Sequence, residues 1–409
     1  MRTKLERLGT RFSEQGLKRT LSWIWGRFTT RPESDKFAPR PATPICESVK
    51  QWSGALPDVK CRVLMSATVI HRNLPATVEP IIAEAYSSRT SSNMAERYLA
   101  RISGAKIVGH NGLVVLPDGK YAAEAIYTKA LLQQDSDYAA PPPRKMMKMG
   151  GSYFSLLVIW SKDGGYYHWL HDTLQRLYGV IDWLPDDVKY IVPANMRPWQ
   201  VETLRLMGIR DEQLAYFDAN EVWELETLYF APPTTNSGSS RRDAEEWLRD
   251  RILAAYQIQL RPGHRRIFIS RRHIWQRRLA NEDAVVALLQ NYGFETCTPE
   301  TLSFRDQVAL FAEAEIVVST HGSALANILF APPGLVLVDM VDTTMKSWGY
   351  VFWTMCEALG HHYWYFSTDS VERAGSQPDA LVQVEKLEAT LESIGVSRVV
   401  QSSPTGGIL

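Results

Sequence analysis

Three short stretches of this 409-residue chain concentrate the residue types that bind or move charge. The first is Tyr166-Tyr167-His168-Trp169-Leu170-His171-Asp172, directly after a Gly164-Gly165 pair. Imidazole and carboxylate carry protons, and tyrosine and tryptophan rings stack on sugars. Two Tyr, two His and a Trp within six residues is an unusual density. At about 100° per residue, His168, Asp172 and Arg176 share one helical stripe, and Leu170, Leu174, Leu177 and Ile181 share the opposite one. The apolar stripe is core. The polar stripe is either a proton-handling surface or a solvated face with an Asp172–Arg176 ion pair, worth under ~1 kcal/mol when exposed.

The second stretch is Ser270-Arg271-Arg272, extended by Arg277, Arg278 and Asn281. Residues 261–278 hold seven arginines and no acid, and residues 279–315 hold seven acids and one arginine. Guanidinium forks stay ionised and match phosphate oxygens in pairs, which suits a diphosphate. Arg261, Arg265 and Arg278 are expected to pair with the downstream acids at the surface, leaving Arg271 and Arg272 at the strand end as binding candidates, with Arg277 nearby. The third stretch is Thr320-His321-Gly322-Ser323-Ala324-Leu325-Ala326-Asn327. It follows an apolar run and opens a helix, where free N–H groups attract anions and a glycine admits a ligand to the backbone. His321 can donate to a phosphate or a sugar hydroxyl, or simply satisfy a turn.

Other signatures fail. The chain has no G-x-G-x-x-G after a strand, no GxxxxGK[ST], no HExxH and no GxSxG, which argues against a dinucleotide oxidoreductase, a P-loop NTPase, a zincin and an α/β-hydrolase. Asp135-Ser136-Asp137 looks like a metal-binding DxD, but LLQQ before it and YAAPPP after it make a loop rather than a strand end. His168/His171 and His361/His362 lack a third ligand at metal spacing, so no metal site is expected.

These stretches need elements to position them. From Arg62 to Ala125 the pattern is strand-like, with a turn at Pro117-Asp118-Gly119. FSLLVIW (154–160), VKYIVP (188–193) and residues 213–218 read as buried strands, alternating with helices over 166–182 and 197–207. APPTTNSGSSRR (231–242) reads as an interdomain linker. Beyond it, helices near 241–259, 281–291, 303–314, 321–330 and 347–359 alternate with strands RRIFIS (265–270), FETCT (294–298), EIVVST (315–320), LVLVDM (335–340) and YWYF (363–366). Ser303 with Asp306 predicts a capping box, and Pro332-Pro333-Gly334 a stop. Strands separated by such helices form a parallel doubly wound sheet, with ligand loops after Ser270, Thr298, Thr320 and Met340.

Composition bounds the class. Hydrophobic content of 45% and charged content of 22% are those of a globular protein, and the length favours two cores. Forty-five basic and forty-five acidic residues give zero net charge, which argues against a nucleic-acid-coating protein. Cys46, Cys61, Cys297 and Cys356 are dispersed and encode neither a zinc knuckle nor a disulfide scaffold, so a reducing, cytoplasmic setting is expected. No apolar run is long enough to span a bilayer. Residues 1–40 carry ten Lys/Arg and four Asp/Glu interleaved with Leu5, Leu8, Phe12, Leu21, Ile24, Trp25 and Phe28. That leader is either a basic amphipathic helix on the anionic inner face of a membrane or a frayed polar segment, and it lacks a secretory signal's features.

From about Ser155 to Phe366 the chain resembles glycosyltransferase family 61, which includes bacterial capsule-type proteins. The likeness rests on Tyr167-His168-Trp169 with Asp172 and Arg176, then Ile269-Ser270-Arg271 with Arg278, Asn281 and Glu282. It continues through Gly293-Phe294, Gln307, Phe311-Ala312, His321 to Asn327, Phe330 and Pro332-Pro333-Gly334. Each block alone is weak; their order and spacing make the set specific. Gln175 stands where a proline is usual, and Asp339 where a glutamate is usual.

The resemblance implies a GT-B arrangement, with two Rossmann-like α/β domains facing across a cleft. Residues 45–236 would be the acceptor domain and 237–370 the donor domain, after a leader and linker over 1–44 and before a helix and tail over 371–409 that could pack back on the first domain. It implies an inverting, metal-independent transferase that takes a sugar from a nucleotide-diphosphate sugar to a glycan or lipid-linked acceptor in surface polysaccharide biosynthesis, with no cofactor. Asp172 would be the base with His168 orienting it, or His168 the base itself. Arg271, Arg272, Arg277, Thr320, His321, Gly322, Ser323 and Asn327 would bind the donor, with the nucleobase near Cys297–Ser303 and the ribose near Asp339. Tyr167, Trp169 and His171 would meet the acceptor. A catalytically silent glycan- or nucleotide-binding scaffold and a nucleotide-sugar epimerase are the alternatives, since fold does not fix reaction.

Overall fold

The computed structural model describes residues 44–54, 59–79, 86–139, 142, 144–158, 165–235, 238–342, 350–373 and 377–399. The basic leader therefore lies outside the described residues, apart from Pro44. No helix among the described residues is long and apolar enough to cross a membrane.

The valine- and isoleucine-rich runs of the second half, buried on both faces, form the parallel sheet their alternation with helices predicts. Strands Phe294–Cys297, Arg265–Ile269, Ala314–Thr320, Val336–Asp342 and His362–Val371 lie side by side in that order and are all parallel, with Asp379–Leu381 antiparallel at the edge. The first and third of these in the chain are therefore neighbours, and the connections leaving them diverge toward opposite edges. In a doubly wound sheet, such a divergence opens a crevice at the carboxyl ends of the two strands. Here those ends are Ile269 and Thr320, followed by Ser270-Arg271 and His321-Gly322. The connecting helices are Arg242–Tyr256, Glu282–Gln290, Phe304–Phe311 and Tyr350–Leu359. Ser303 caps its helix as expected, accepting from Asp306 N at 3.1 Å while its Oγ donates to the Asp306 carboxylate at 2.6 Å. The stretch Ser323–Phe330 is a 3-10 helix, tighter than the α-helix its pattern suggests.

The first half departs from a Rossmann-like sheet. Its sheet has ten strands and is mixed. Leu214–Phe217, Lys189–Pro193, Lys145–Ser155 and Glu221–Phe230 run parallel, whereas Arg97–Ser103 and Lys106–Val108 join Glu221–Phe230 antiparallel. The strand expected over 154–160 is Lys145–Ser155, and Leu156, Leu157 and Val158 follow it as buried non-strand residues. Gly119, with φ 86°, makes the turn before Tyr121–Ala122.

The two sheets share a core. One apolar cluster runs from Phe154, Tyr190 and Val192 of the first sheet through Leu170, Leu174 and Trp353 to Ile267, Val317 and Leu337 of the second. The proposed linker belongs to it: Ala231 is buried, Arg97 donates to Pro232 O at 3.1 Å, and Thr354 Oγ1 donates to Gly238 O at 3.1 Å. Residues 73–79 cross over as well. Ala76 pairs with the His362–Val371 strand through Ala76 N to Tyr363 O at 3.1 Å and Tyr365 N to Ala76 O at 2.9 Å. The terminal helix Val384–Ile394 does not return to the first sheet: Leu387 and Leu391 pack with Val285, Leu288 and Leu289 on the second.

Candidate active site

The segment carrying His168 and Asp172 begins as an α-turn over Tyr166–His168, widens to a π-turn over Trp169–Thr173 and tightens to 3-10 over Leu174–Leu177. A continuous amphipathic helix is thus replaced by a distorted one, and π-turns recur where side chains must be re-aimed. Leu170, Leu174 and Leu177 are fully buried, as their stripe predicts, but the polar stripe is not a solvated face. His168 Nδ1 lies 2.6 Å from Asp172 Oδ2, with side-chain exposures of 26% and 4%. Arg176 donates to Leu157 O at 3.2 Å and Ala231 O at 3.3 Å. Burial pushes it down to about 10, while Asp172 and Tyr127 act in the opposite direction. His168 is the more open member of the pair.

The neighbouring residues sit behind this pair. Trp169 is 3% exposed, and its indole N–H donates to Thr203 Oγ1 at 2.8 Å. Tyr167 is buried between His171, stacked at 4.5 Å, and Phe352, edge-on at 5.7 Å. His171 Nδ1 lies 3.1 Å from Glu245, a wholly buried carboxylate that also accepts from Gln175 Nε2 at 2.9 Å. Tyr167, Trp169 and His171, expected to meet the acceptor, are all buried, and the last two make buried hydrogen bonds, while the Tyr167 hydroxyl and His171 Nε2 have no hydrogen-bond partner among the described residues. Gln175, the departure from the family pattern, holds Glu245 in place.

At the switch point, Arg271 and Gly322 meet. Arg271 is buried, donating Nε to Arg277 O at 3.0 Å and Nη2 to Gln276 O at 3.2 Å. Its Nη1 lies where a Cβ on Gly322 would stand, at 2.1 Å, so only glycine leaves room for the guanidinium. Arg277 donates Nη1 to His321 O at 3.2 Å, and its Nε is buried without a partner. Neither arginine has a salt bridge among the described residues. Burial and the neighbouring Arg277 push Arg271 down to about 10, and burial lowers Arg277 too, against the pull of Asp339. Two adjacent guanidiniums with no salt bridge among the described residues suit an anion. The loop expected to hold a nucleobase is alongside, since Ser270 N donates to Cys297 O at 2.8 Å. Arg272 differs: its side chain is 51% exposed and pairs with Glu282 and Asp283. Its expected donor contact is replaced by a surface ion pair of the kind foreseen for Arg265 and Arg278, which do pair with Glu295 and Asp379.

His321 forms a second His–Asp pair, Nδ1 to Asp339 Oδ2 at 2.9 Å. The same oxygen accepts from Tyr363 Oη at 3.0 Å, and Asp339 is completely buried. Asp339, expected near a ribose, stands behind His321 through Oδ2, while its Oδ1 is buried without a partner among the described residues. Asn327 is likewise fully buried, accepting from Tyr166 Oη at 2.6 Å and donating to Gln307 Oε1 at 3.0 Å, so it ties the His168 segment to the second sheet rather than meeting a ligand. Thr320 is buried and Ser323 exposed. Rings connect the two pairs: His168 to Tyr167 at 5.4 Å, Tyr167 to Phe352 at 5.7 Å, and Phe352 to His321 at 4.9 Å.

The DxD-like carboxylates are spent locally, Asp135 on Asn111 at 2.7 Å and Asp137 on Arg144. Among the described residues, no cluster of three or more His, Cys, Asp or Glu could hold a metal ion. Sequence reasoning missed Glu245, Tyr363 and Tyr127. Glu245 and Tyr363 sit in ordinary helix and strand patterns, and Tyr127 is one aromatic in a mixed stretch between Ile126 and Thr128, so nothing in their spacing marks them.

Residues 166–338 match the family described as Glycosyltransferase 61, under half of the chain and a span that takes in both His168–Asp172 and the Arg271–Gly322 junction. The chain is also 24% identical over 310 residues to the beta-1,2-xylosyltransferase XAX1 of Oryza sativa subsp. japonica, across 69% of this chain and 52% of the relative. The chain thus spans about half the length of that protein. Both likenesses support glycosyltransferase chemistry for this site.

Proposed function

We propose that this chain is an inverting glycosyltransferase that moves a sugar from a nucleotide-diphosphate sugar to a hydroxyl of a glycan or glycolipid acceptor. The observation that carries the reading is the Arg271–Arg277 pair, without a salt bridge among the described residues, closed over Gly322 at the switch point of the second sheet. The diphosphate lies against those guanidiniums and His321, with the nucleobase toward residues 297–303. His168, aimed by Asp172, takes the proton from the acceptor hydroxyl as its oxygen attacks the anomeric carbon, while the sugar–phosphate bond breaks on the opposite face. Charge developing on the leaving diphosphate is met by guanidiniums already in place, which is electrostatic preorganisation. No metal is needed in this scheme. A role in surface polysaccharide assembly, and a basic leader holding the enzyme to a membrane, extend the same reading.

The test is calorimetric titration with nucleoside diphosphates and their sugar conjugates, followed by acceptor trials and assignment of the product anomer by NMR. A pentose donor is the first to try, given the relative's name. Asp172→Asn is expected to keep donor binding and lose transfer. Failure of every nucleoside diphosphate to bind overturns the reading; binding without transfer makes the chain a scaffold, and sugar inversion without an acceptor makes it an epimerase.

A further inference from the structure

The two ring nitrogens of His321 have unequal surroundings. Nδ1 lies 2.9 Å from Asp339 Oδ2, and that oxygen also accepts from Tyr363 Oη at 3.0 Å. Asp339 is wholly buried, so its carboxylate is a fixed acceptor with no access to solvent. Tyr86 stands behind the array, its hydroxyl 3.5 Å from that of Tyr363 and its ionisation pushed up by burial. Phe352 is tilted against the imidazole with ring centres 4.9 Å apart, which fixes the ring plane. Nε2, on the far side of the ring from Asp339, has no partner among the described residues, and the side chain keeps 8% of its surface exposed. The backbone sets the ring among the guanidiniums. His321 N donates to Met340 O at 2.9 Å, His321 O accepts from Arg277 Nη1 at 3.2 Å, and the next residue, Gly322, makes room for Arg271.

This pairing dictates what Nε2 can offer. A carboxylate only accepts, so Nδ1 carries a hydrogen. The neutral ring then presents a lone pair at Nε2, which repels a phosphate oxygen, whereas the imidazolium presents an N–H, which binds one. The charged groups facing the ring are Asp339 behind it and Arg271 and Arg277 beside it; Tyr363 and the Cys356 thiol, both pushed up by burial, act on Asp339 from behind. The two guanidiniums oppose a third positive charge, and an incoming diphosphate removes that opposition.

We infer that His321 binds the diphosphate as an imidazolium, taking up a proton with the donor, and is the general acid that passes this proton to the leaving group. The inference rests on the transferase reading above. As the anomeric carbon–oxygen bond breaks, its electron pair goes to the β-phosphate oxygen, and His321 Nε2–H delivers its proton there. The acceptor's own proton goes to the base on the other face of the sugar, and His321, left neutral, is recharged from solvent when the next donor binds. A terminal phosphate, whose last ionisation lies near ~6, is close to an imidazole in proton affinity, the condition for efficient transfer.

The test is calorimetry with uridine and guanosine diphosphate sugars, whose phosphates do not titrate near neutrality, in two buffers of different ionisation heat. Wild type is expected to take up a proton on binding, with affinity falling by up to tenfold per unit as pH rises from about 7 to about 9. His321→Gln keeps an amide donor but no titrating group. Its proton uptake should vanish, its affinity should be flat with pH, and its kcat should fall about a hundred-fold with loss of the alkaline limb of the rate profile. Because a substitution here can disturb the fold, the His321 ring of wild type is also followed by NMR with and without sulfate, an anion that does not titrate; its titration should move to higher pH. Equal proton uptake in wild type and variant overturns the proposal, as does a His321 signal that bound nucleotide sugar leaves unmoved. An alkaline limb retained by the variant, or binding without transfer in wild type, overturns the acid role. If no nucleotide sugar binds, the transferase reading fails, and the sulfate titration still decides whether this ring charges with an anion.

Discussion

Replacing Arg271 with methionine separates the cost of a site from its use. The side chain is buried, makes no salt bridge among the described residues and donates to two backbone carbonyls of its own loop. Burial first, and Arg277 second, push its guanidinium down to about 10 from an ordinary 12.5. That displacement corresponds to roughly 3 kcal/mol against the charged form. Arg271→Met removes the buried charge and also the two carbonyl bonds, worth about 0.5–1.5 kcal/mol each. The two changes nearly cancel, so the free protein should stay within about 1 kcal/mol of wild type in a denaturant titration. The ligand sees no such cancellation. Losing one charge-assisted contact of about 1.5–3 kcal/mol weakens nucleoside diphosphate binding roughly ten- to hundred-fold, read by calorimetry. Arg272→Met is the control: it breaks exposed pairs with Glu282 and Asp283 and should leave affinity alone. The reasoning is refuted if Arg271→Met is destabilised by more than about 3 kcal/mol while its affinity is unchanged, the signature of a buried ion pair broken by truncation.

Two further outcomes follow from single positions. Gly322→Ala places a methyl 2.1 Å from Arg271 Nη1, and because Gly322 is extended at φ −175° the backbone is not strained; nucleoside diphosphate affinity should fall several-fold with little change in thermal midpoint. His361 is held neutral by burial, its imidazole pushed down to about 4 while Nε2 faces Ile328 O at 3.0 Å. A folded value below the unfolded 6.5 means the unfolded chain takes the proton first, so stability is full above about pH 6.5, falls by roughly 3 kcal/mol toward pH 4 and is flat below. Denaturant titrations of His361→Gln across that window should lose this share of the slope; an identical slope in the variant would rule out His361 as its source.

The fold was readable where one rule acted alone. Apolar runs alternating with helices located the five parallel strands described in the second sheet, because burial on both faces leaves an uninterrupted signal. The first sheet was less readable. An antiparallel strand such as Arg97–Ser103 and a parallel one such as Lys189–Pro193 present similar short apolar runs, and only pairing distinguishes them. Separate cores were expected from length, yet a polar, proline-containing stretch that reads as a linker is packed inside the shared cluster. Arg97 and Thr354 supply donors to its backbone from far along the chain, a match that local composition cannot reveal.

The site shows why residue type and position do not settle role. Arg271 and Arg272 are adjacent and identical, and in the loop after the strand the first is buried at the switch point and the second turns out to Glu282. His168 and His171 are three apart on one segment; the first reaches Asp172 with its ring half open, and the second is sealed against Glu245. Asp339 was marked by its place after a strand, but its carboxylate is already shared by His321 and Tyr363, so it acts through the histidine. In each case the deciding quantity is the partner, and partners here come from elsewhere in the chain: Glu245 and Tyr363. Spacing finds the proton carriers and the guanidiniums. Which of them is available to a ligand emerges only from how the other buried polar groups are paired, and among the described residues Arg271 and Arg277 stand at the switch point without a salt bridge, with the Arg277 Nε buried and unpartnered.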